Sequence, residues 1–317
     1  MAFVESALGA VARIGPYFAV ISLLPSAGLV YTTSVLASAR PWTGRPDWHL
    51  AWAFATDVTL HGVVVGAFLT ALTALVLHPL QFVVVQALEG YWGSSALALW
   101  LARRRIRFYL DRFDELLLVQ LDAQDPSGEV ERDRWQSWQV QEAARALQDL
   151  PDSPSQVMPT RLGNVLRRYE QRAGRPYGLD AVTFAPHLGL SGAASDVSYL
   201  QDQRTQLDLA VRLTFLMALL AVVVTGLYLR TGWWLLIALV PYGLALLLYR
   251  GACVVAGHYG LALEAVLDLN RHAVYRRLSL RQPDSLDQER RQNAQLDLLL
   301  ANRDDGVQLS TPATPSS

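Results

Sequence analysis

The side chains best suited to chemistry lie at the ends of long apolar stretches. His78 and Glu89 follow the second such stretch, and Asp57 and His61 lie four residues apart at its beginning. Ionisable residues inside a membrane are often functional, so either pair could share a proton. The competing interpretations are a helix-end ion pair for Asp57 and His61, and helix capping for His78 with snorkelling for Glu89.

The spacing of possible metal ligands and nucleophiles points to no catalytic chemistry. The six histidines contain no His-x-x-x-His pair, and Cys253 is the only cysteine. A zinc site needs several such ligands close together. Walker-type, dinucleotide-binding and nucleophile-elbow motifs are also missing from the sequence. We therefore predict no catalytic residue, no metal, no cofactor and no enzymatic activity.

Arginine supplies all the positive side-chain charge apart from histidine, with 27 arginines against 28 acidic residues. Arg103, Arg104, Arg105 and Arg107 form a cluster after the second hydrophobic region. A guanidinium binds phosphate oxygens through two hydrogen bonds, and a basic cluster beside a membrane span most often contacts anionic lipid. We predict lipid-phosphate contacts at these four residues and no nucleic-acid partner.

Four apolar stretches indicate the environment of the chain. Each is close to the ~17–25 residues that a helix needs to cross a hydrocarbon core. The sequence therefore predicts an all-α integral membrane protein with four transmembrane helices in two pairs and a helical cytoplasmic region between the pairs. The stretches are residues 16–39, 58–77, 213–229 and 232–249.

The arginines also predict the orientation of these helices. Arg40 and Arg45 occupy the loop between the first two stretches, and Arg230 occupies the turn between the last two. The other arginines fall on the opposite side. Because cytoplasmic loops of membrane proteins carry the excess of basic residues, we predict a multi-pass plasma-membrane protein with both termini in the cytoplasm.

Residues 78–101 are apolar but interrupted, and too short to cross the membrane again. We interpret them as a helix bent at Pro79 that lies along the inner interface, with Glu89, Tyr91 and Trp92 at the depth of the lipid headgroups. A short re-entrant loop is the alternative.

Helical periodicity continues through the charged regions. On the helix predicted over 103–122, one apolar face holds Ile106, Leu110, Phe113, Leu117 and Leu121. Thr160 is placed to cap a helix that ends at Arg172. A further helix begins near residue 196 and runs without interruption into the third span.

Helices are also predicted over 129–150, 251–280 and 286–302. Asp208 and Arg212 are expected to pair at the inner interface. The resulting division of the chain is a first transmembrane pair with its interfacial segment, a cytoplasmic helical region, a second transmembrane hairpin, cytoplasmic C-terminal helices and a disordered tail. These regions are residues 1–101, 102–206, 207–253, 254–302 and 303–317.

Four short strings look like family motifs: His-Pro-Leu-Gln at 78–81, Leu-Glu-Gly-Tyr-Trp at 88–92, Pro-Thr-Arg-Leu-Gly-Asn at 159–164 and Tyr-Gly-Leu-Asp-Ala at 177–181. On these strings the chain resembles a family of uncharacterised bacterial multi-helix membrane proteins, mostly from high-GC actinobacteria. The resemblance covers most of the chain. It implies a membrane location and carries no activity with it.

The last two strings flank one helix, which would bring Arg161, Asn164 and Asp180 near each other. These residues either hold the cytoplasmic helices against the inner membrane face or form a small polar pocket. With His78, Glu89, Tyr91 and Trp92 they are the candidate functional or interface residues.

Three classes of function are compatible with these patterns. The favoured hypothesis is a membrane-anchored interaction or scaffold protein whose cytoplasmic helices bind a protein partner or a second copy. The alternatives are an oligomeric pore, transporter or membrane-perturbing effector, and a membrane enzyme acting on lipid with His78, Glu89 or Asp180 as acid or base.

The orientation predicts the accessibility of introduced cysteines. In a Cys253→Ala background, Ser127→Cys should react with a membrane-impermeant maleimide only after the cells are permeabilised. Thr43→Cys, in the loop after the first stretch, should react in intact cells. Labelling of position 127 in intact cells would show that the orientation is wrong.

Overall fold

The computed structural model describes residues 22–124 and 134–302, and the regular structure in these residues is helical, without a β-strand. Short 3₁₀ turns occupy Pro41–Thr43, Pro154–Gln156, Arg175–Tyr177 and Gly232–Ala238. The α-helices are α1 (Leu24–Ser38), α2 (Trp48–Thr56), α3 (Leu60–Glu89), α4 (Ala96–Gln124), α5 (Arg134–Leu147), α6 (Arg161–Arg172), α7 (Ala181–Ser191), α8 (Ala194–Tyr228), α9 (Leu239–Arg277) and α10 (Leu286–Asn302).

Three helical segments of the described chain are long and apolar enough to cross a membrane: α3, α8 and the segment Gly232–Arg277. They contain most of the second and third apolar stretches and all of the fourth. The first stretch is described only in part, as the 15-residue helix α1, and residues 16–21 lie outside the described residues. The predicted tail 303–317 and the start of the helix predicted over 129–150 also lie outside them.

Several predicted boundaries fall inside helices. Helix α3 continues through Pro79 to Glu89, so the first part of residues 78–101 extends the helix of the second apolar stretch. It ends before Gly90, whose φ of 107° is in a region that favours glycine. Helix α4 then begins at Ala96 and crosses the predicted boundary at 101/102. The helix predicted over 251–280 is the continuation of the fourth span within α9.

The chain divides into two compact units. Unit 1 contains the described residues up to Ala87 together with Thr205–Ala252, and unit 2 contains those of Leu88–Arg204 together with those from Cys253 onward. In unit 1, α1 packs on α2. Its core contains Leu29 from α1 and a stripe from α8 that ends at Tyr228. The Tyr228 hydroxyl donates a hydrogen bond to the carbonyl of Leu36, over 3.1 Å.

The core of unit 2 is formed by side chains of α7, α9 and α10, among which Phe184, Leu188, Leu267 and Leu296 are fully buried. Asn270 joins the end of α9 to the start of α8. Its Oδ1 accepts a hydrogen bond from the Ala193 N–H at 2.8 Å, and its Nδ2 donates to the carboxylate of Asp196 at 2.8 Å.

A second small core joins α4 to α5 through Leu116, Ala143 and Leu150. The predicted apolar face of α4 is therefore partly wrong. Phe113 does pack against this core, but Leu117 and Leu121 are exposed, and Tyr109 packs with Phe113. The Arg168 side chain donates hydrogen bonds to the carbonyls of Leu147 and Leu150, which the end of α5 leaves without helical partners.

Candidate functional site

The end of α3 meets the loop before α6 in unit 2, and this meeting brings two of the motif strings together. The Thr160 hydroxyl donates to the carbonyl oxygen of Glu89 at 2.8 Å. The same hydroxyl accepts from the Gly163 N–H at 3.0 Å and caps α6, as its sequence position predicts. We call this contact the Glu89–Gly163 junction, formed by Glu89, Gly90, Pro159, Thr160 and Gly163.

Two glycines allow the close approach at the junction. A Cβ atom added to Gly163 would overlap the carbonyl oxygen of Glu89, which is a backbone atom and has little room to move. A Cβ atom added to Gly90 would lie 2.5 Å from Cγ of Pro159. Each glycine of these motif strings therefore has a packing reason, since any larger residue separates the two segments.

The loop before α6 is also held by side chains of two helices. Asn164 is fully buried, and its carboxamide pairs with the backbone of Met158. Oδ1 accepts from the Met158 N–H at 2.6 Å, and Nδ2 donates to the Met158 carbonyl at 3.0 Å. From α4, Arg105 Nε donates to the carbonyl of Pro159 at 3.4 Å. These bonds satisfy backbone groups that a loop otherwise leaves unpaired.

The side chain of Glu89 lines a cavity of about 10 Å³, together with Tyr91, Arg167 and Glu170. Arg167 NH1 lies 3.3 Å from the carboxylate of Glu170. A cavity of this size holds about one water molecule, so a substrate does not fit there. Tyr91 is exposed and Trp92 is partly buried.

Arg161, Asn164 and Asp180 each have a different partner, and no hydrogen bond or ion pair joins them within the described residues. Arg161 pairs with Asp149, with NH2 at 2.6 Å from the carboxylate. Asp180 caps α7 by accepting bonds from the Val182 N–H and the Thr183 hydroxyl. Asp180 thus stabilises the N-terminus of α7.

The carboxylate of Asp297 accepts a hydrogen bond from the backbone of Asp180. The Asp180 N–H donates to Asp297 Oδ2 at 2.9 Å, and Asp297 Oδ1 is buried with no hydrogen-bond partner among the described residues. Burial raises the pKa of Asp297 to about 6, the hydrogen bond from Asp180 opposes this shift, and the charge of Asp180 adds to it. No pattern in the sequence predicts a role for Asp297, because its partner Asp180 lies 117 residues away.

His78 belongs to a separate polar network in unit 1. Arg212 is 3 % exposed, and its NH1 donates to Ser22 Oγ and to Gln81 Oε1, both at 2.9 Å. Ser22 Oγ lies 3.4 Å from Nδ1 of His78. Arg212, which the sequence predicts to pair with Asp208 at the inner interface, is buried beside the side chains of Ser22 and Gln81. The string that begins at His78 supplies two members of this network.

Chemically, this network contains a fixed positive charge whose NH1 donates to the neutral acceptors Ser22 Oγ and Gln81 Oε1. A guanidinium stays protonated in proteins, so a proton is not passed through Arg212. Burying such a charge is costly unless its donors are satisfied, which makes the acceptors from Ser22 and Gln81 important for stability. The network therefore joins helices that are far apart in sequence, with 190 residues separating Arg212 from Ser22.

The four predicted lipid-contacting arginines are all exposed. Arg104 lies over the ring of Trp100 at 5.8 Å, and Arg105 lies 5.3 Å from the ring of Phe108. Arg105 also binds the Pro159 carbonyl, so this residue stabilises the junction in addition to any contact with lipid.

Together these features define an all-helical protein with helices able to cross a membrane and with two separate polar contact regions. Comparisons with protein-family models, with curated proteins and with solved structures find no match to the chain.

Replacing Gly163 should destabilise unit 2 strongly. In Gly163→Ala the new methyl group overlaps the Glu89 carbonyl, and we expect a loss of more than about 3 kcal/mol, at or above the upper range for overpacking. Gly189→Ala is the matched control, because its Cβ meets no atom within 4 Å. It should be neutral or stabilising by up to about 1 kcal/mol.

Unfolding of the purified protein in detergent, followed by circular dichroism, measures both glycine variants. Equal stability of Gly163→Ala and the wild type would contradict the close approach at the junction.

The raised pKa of Asp297 predicts a pH-dependent stability. Because the folded protein holds this proton more tightly than the unfolded chain, the contribution is fully present below about pH 4 and is lost as pH rises through about 6. Asp297→Asn should therefore gain stability relative to the wild type as pH rises over this window.

Thermal unfolding at a series of pH values measures the effect, with the exposed Asp287→Asn as the control. A constant difference between Asp297→Asn and the wild type at every pH would show that Asp297 does not titrate in this way.

Proposed function

We propose that the protein is a membrane-embedded scaffold. In this proposal four transmembrane helices in two pairs hold it in the plasma membrane, and both termini and unit 2 lie on the cytoplasmic side. Its role is to present a helical body to a partner at the membrane surface, and it carries out no reaction of its own.

The observation that carries this proposal is the length of α8 and α9, which have 35 and 39 residues. At 1.5 Å per residue these helices are about 50 and 60 Å long, whereas a hydrocarbon core is about 30 Å thick. Their apolar parts belong to unit 1, and the charged remainder contributes to the core of unit 2. The same helices that can anchor the chain thus also build the body.

The roles of the candidate residues support a scaffold better than an enzyme. Thr160 and Asp180 cap helices, Asn164 holds a loop, and Arg161 pairs with Asp149. The polar atoms of each of these side chains form hydrogen bonds or ion pairs within the protein. The cavity beside Glu89 is too small for a substrate. In this proposal, these residues of the motif strings stabilise the fold of unit 2.

Membrane lipid is the first partner in this proposal. The beginning of α4 exposes Leu97 and Trp100 beside the arginine cluster. Apolar side chains with neighbouring guanidinium groups are typical of helices at an anionic membrane surface. We propose that Arg103, Arg104 and Arg107 contact lipid phosphates, together with Arg105 where its bond to Pro159 allows.

A protein is the second partner. Trp135 and Trp138 of α5 are 60 % and 48 % exposed, and their rings stack at 4.9 Å. Exposed tryptophans cost free energy in water, and tryptophan is enriched among residues that dominate protein–protein binding. We assign these two side chains to the contact with a partner protein.

Site-specific photo-crosslinking in native membranes tests this assignment. A benzoylphenylalanine at position 138 should give one defined adduct with a protein, and the same reagent at position 137, which is exposed on another side of α5, should give much less. Trp135→Ala should reduce the adduct formed from position 138. The absence of an adduct, or equal adducts from both positions, would refute the scaffold proposal.

A further inference from the structure

A large cavity in unit 1 lies between the first described helices of the chain. Its volume is about 730 Å³, within the range of small-molecule sites, and its walls come from α1, α2 and the first half of α3. Small residues open the space, including Ala27 of α1 and Gly66 and Ala67 of α3. The lining extends along α1 and α3 for roughly 15 Å, at 1.5 Å per residue.

One end of this cavity is charged and the rest is mainly apolar. Arg40 and Asp57 line it where α1 has ended and α3 has not begun, whereas Ala27 and Thr70 lie towards the other end. Within the described part of the chain, neither Arg40 nor Asp57 forms an ion pair within 4 Å. The ion pair between Asp57 and His61 that the sequence allowed is therefore not formed.

The surroundings of the cavity indicate how a ligand would reach it. Helix α3, which forms one wall, is a candidate membrane span with large apolar side chains exposed along its length. Leu60 is 77 % exposed and Phe68 is 66 % exposed. In a bilayer these side chains face lipid, so molecules that are already in the membrane have access to the cavity without crossing water.

We propose that this cavity binds one zwitterionic phospholipid. An acyl chain lies in the apolar groove between α1 and α3, the lipid phosphate contacts Arg40, and the ammonium group contacts Asp57. Opposite charges at one end of an apolar groove match a headgroup that carries both charges. An anionic headgroup such as that of phosphatidylglycerol offers Arg40 the same phosphate but has no ammonium group for Asp57, so the attraction between opposite charges at Asp57 is lost.

Native mass spectrometry of the full-length protein in detergent tests the proposal. Phosphatidylethanolamine should form a one-to-one complex, whereas phosphatidylglycerol and glycerophosphoethanolamine, the headgroup without chains, should bind at least about tenfold more weakly. Arg40→Gln and Asp57→Asn should each weaken binding about tenfold, since each removes a charge-assisted contact. Arg45→Gln, in the same loop but outside the cavity lining, should leave binding unchanged.

Filling the groove gives an independent test. Gly66→Leu should abolish binding, and Gly28→Leu is the matched control, because Cβ atoms at both positions meet no atom within 4 Å and only Gly66 lines the cavity. If Gly66→Leu unfolds in detergent, Ala67→Phe fills the same cavity from the next residue. Binding that survives groove filling, or phosphatidylglycerol that binds as tightly as phosphatidylethanolamine, would overturn the proposal.

Discussion

The carbonyl oxygen of Glu89 is the group on which the arrangement of unit 2 depends. It accepts a hydrogen bond from the hydroxyl of Thr160 and lies against Gly163, so it joins the end of a candidate span to the N-cap of α6, 71 residues later. Around it, Asn164 and Arg105 hold the loop that presents Thr160. Without this contact the loop that presents Thr160 loses its hydrogen bond to the end of α3.

In unit 1, a second set of long-range polar contacts joins distant parts of the chain. Arg212 is buried beside Ser22 and Gln81, which come from distant parts of the chain. Inside a membrane the hydrophobic effect does not drive helices together, and interhelical hydrogen bonds and close packing take its place. The two units thus rely on the same kind of interaction, in which a polar group finds acceptors on another helix.

Much of the secondary structure follows from the sequence. Periodicity and charge locate α4 and α10, the continuity of α8 with the third span, and the cap at Thr160. They do not locate the end of α3, because Pro79 is tolerated inside that helix and the signal that matters is Gly90 with its positive φ. The apolar face of α4 was assigned to Leu117 and Leu121, since periodicity alone does not show which side the partner helix covers.

Among the candidate residues, too, some features are predictable from the sequence and others are not. Single positions such as Thr160, Asn164 and Asp180 were found, because helix caps and motif strings are local patterns. Their partners were not found, since Glu89, Met158 and Asp297 meet them only in the folded chain. The cavity that Arg40 and Asp57 line is not predictable from the sequence either. It lies between helices, and the residue periodicity of a single helix does not reveal a space between several helices.

The two residues that meet at the Glu89–Gly163 junction differ in how strongly the contact restricts their amino-acid type. Position 163 contributes the absence of a side chain, which glycine alone provides. Position 89 contributes a backbone carbonyl, which every amino acid provides. Substitutions at position 89 therefore change the side chain that lies beside Arg167 and Glu170 and keep the carbonyl, whereas substitutions at position 163 act on the close approach itself.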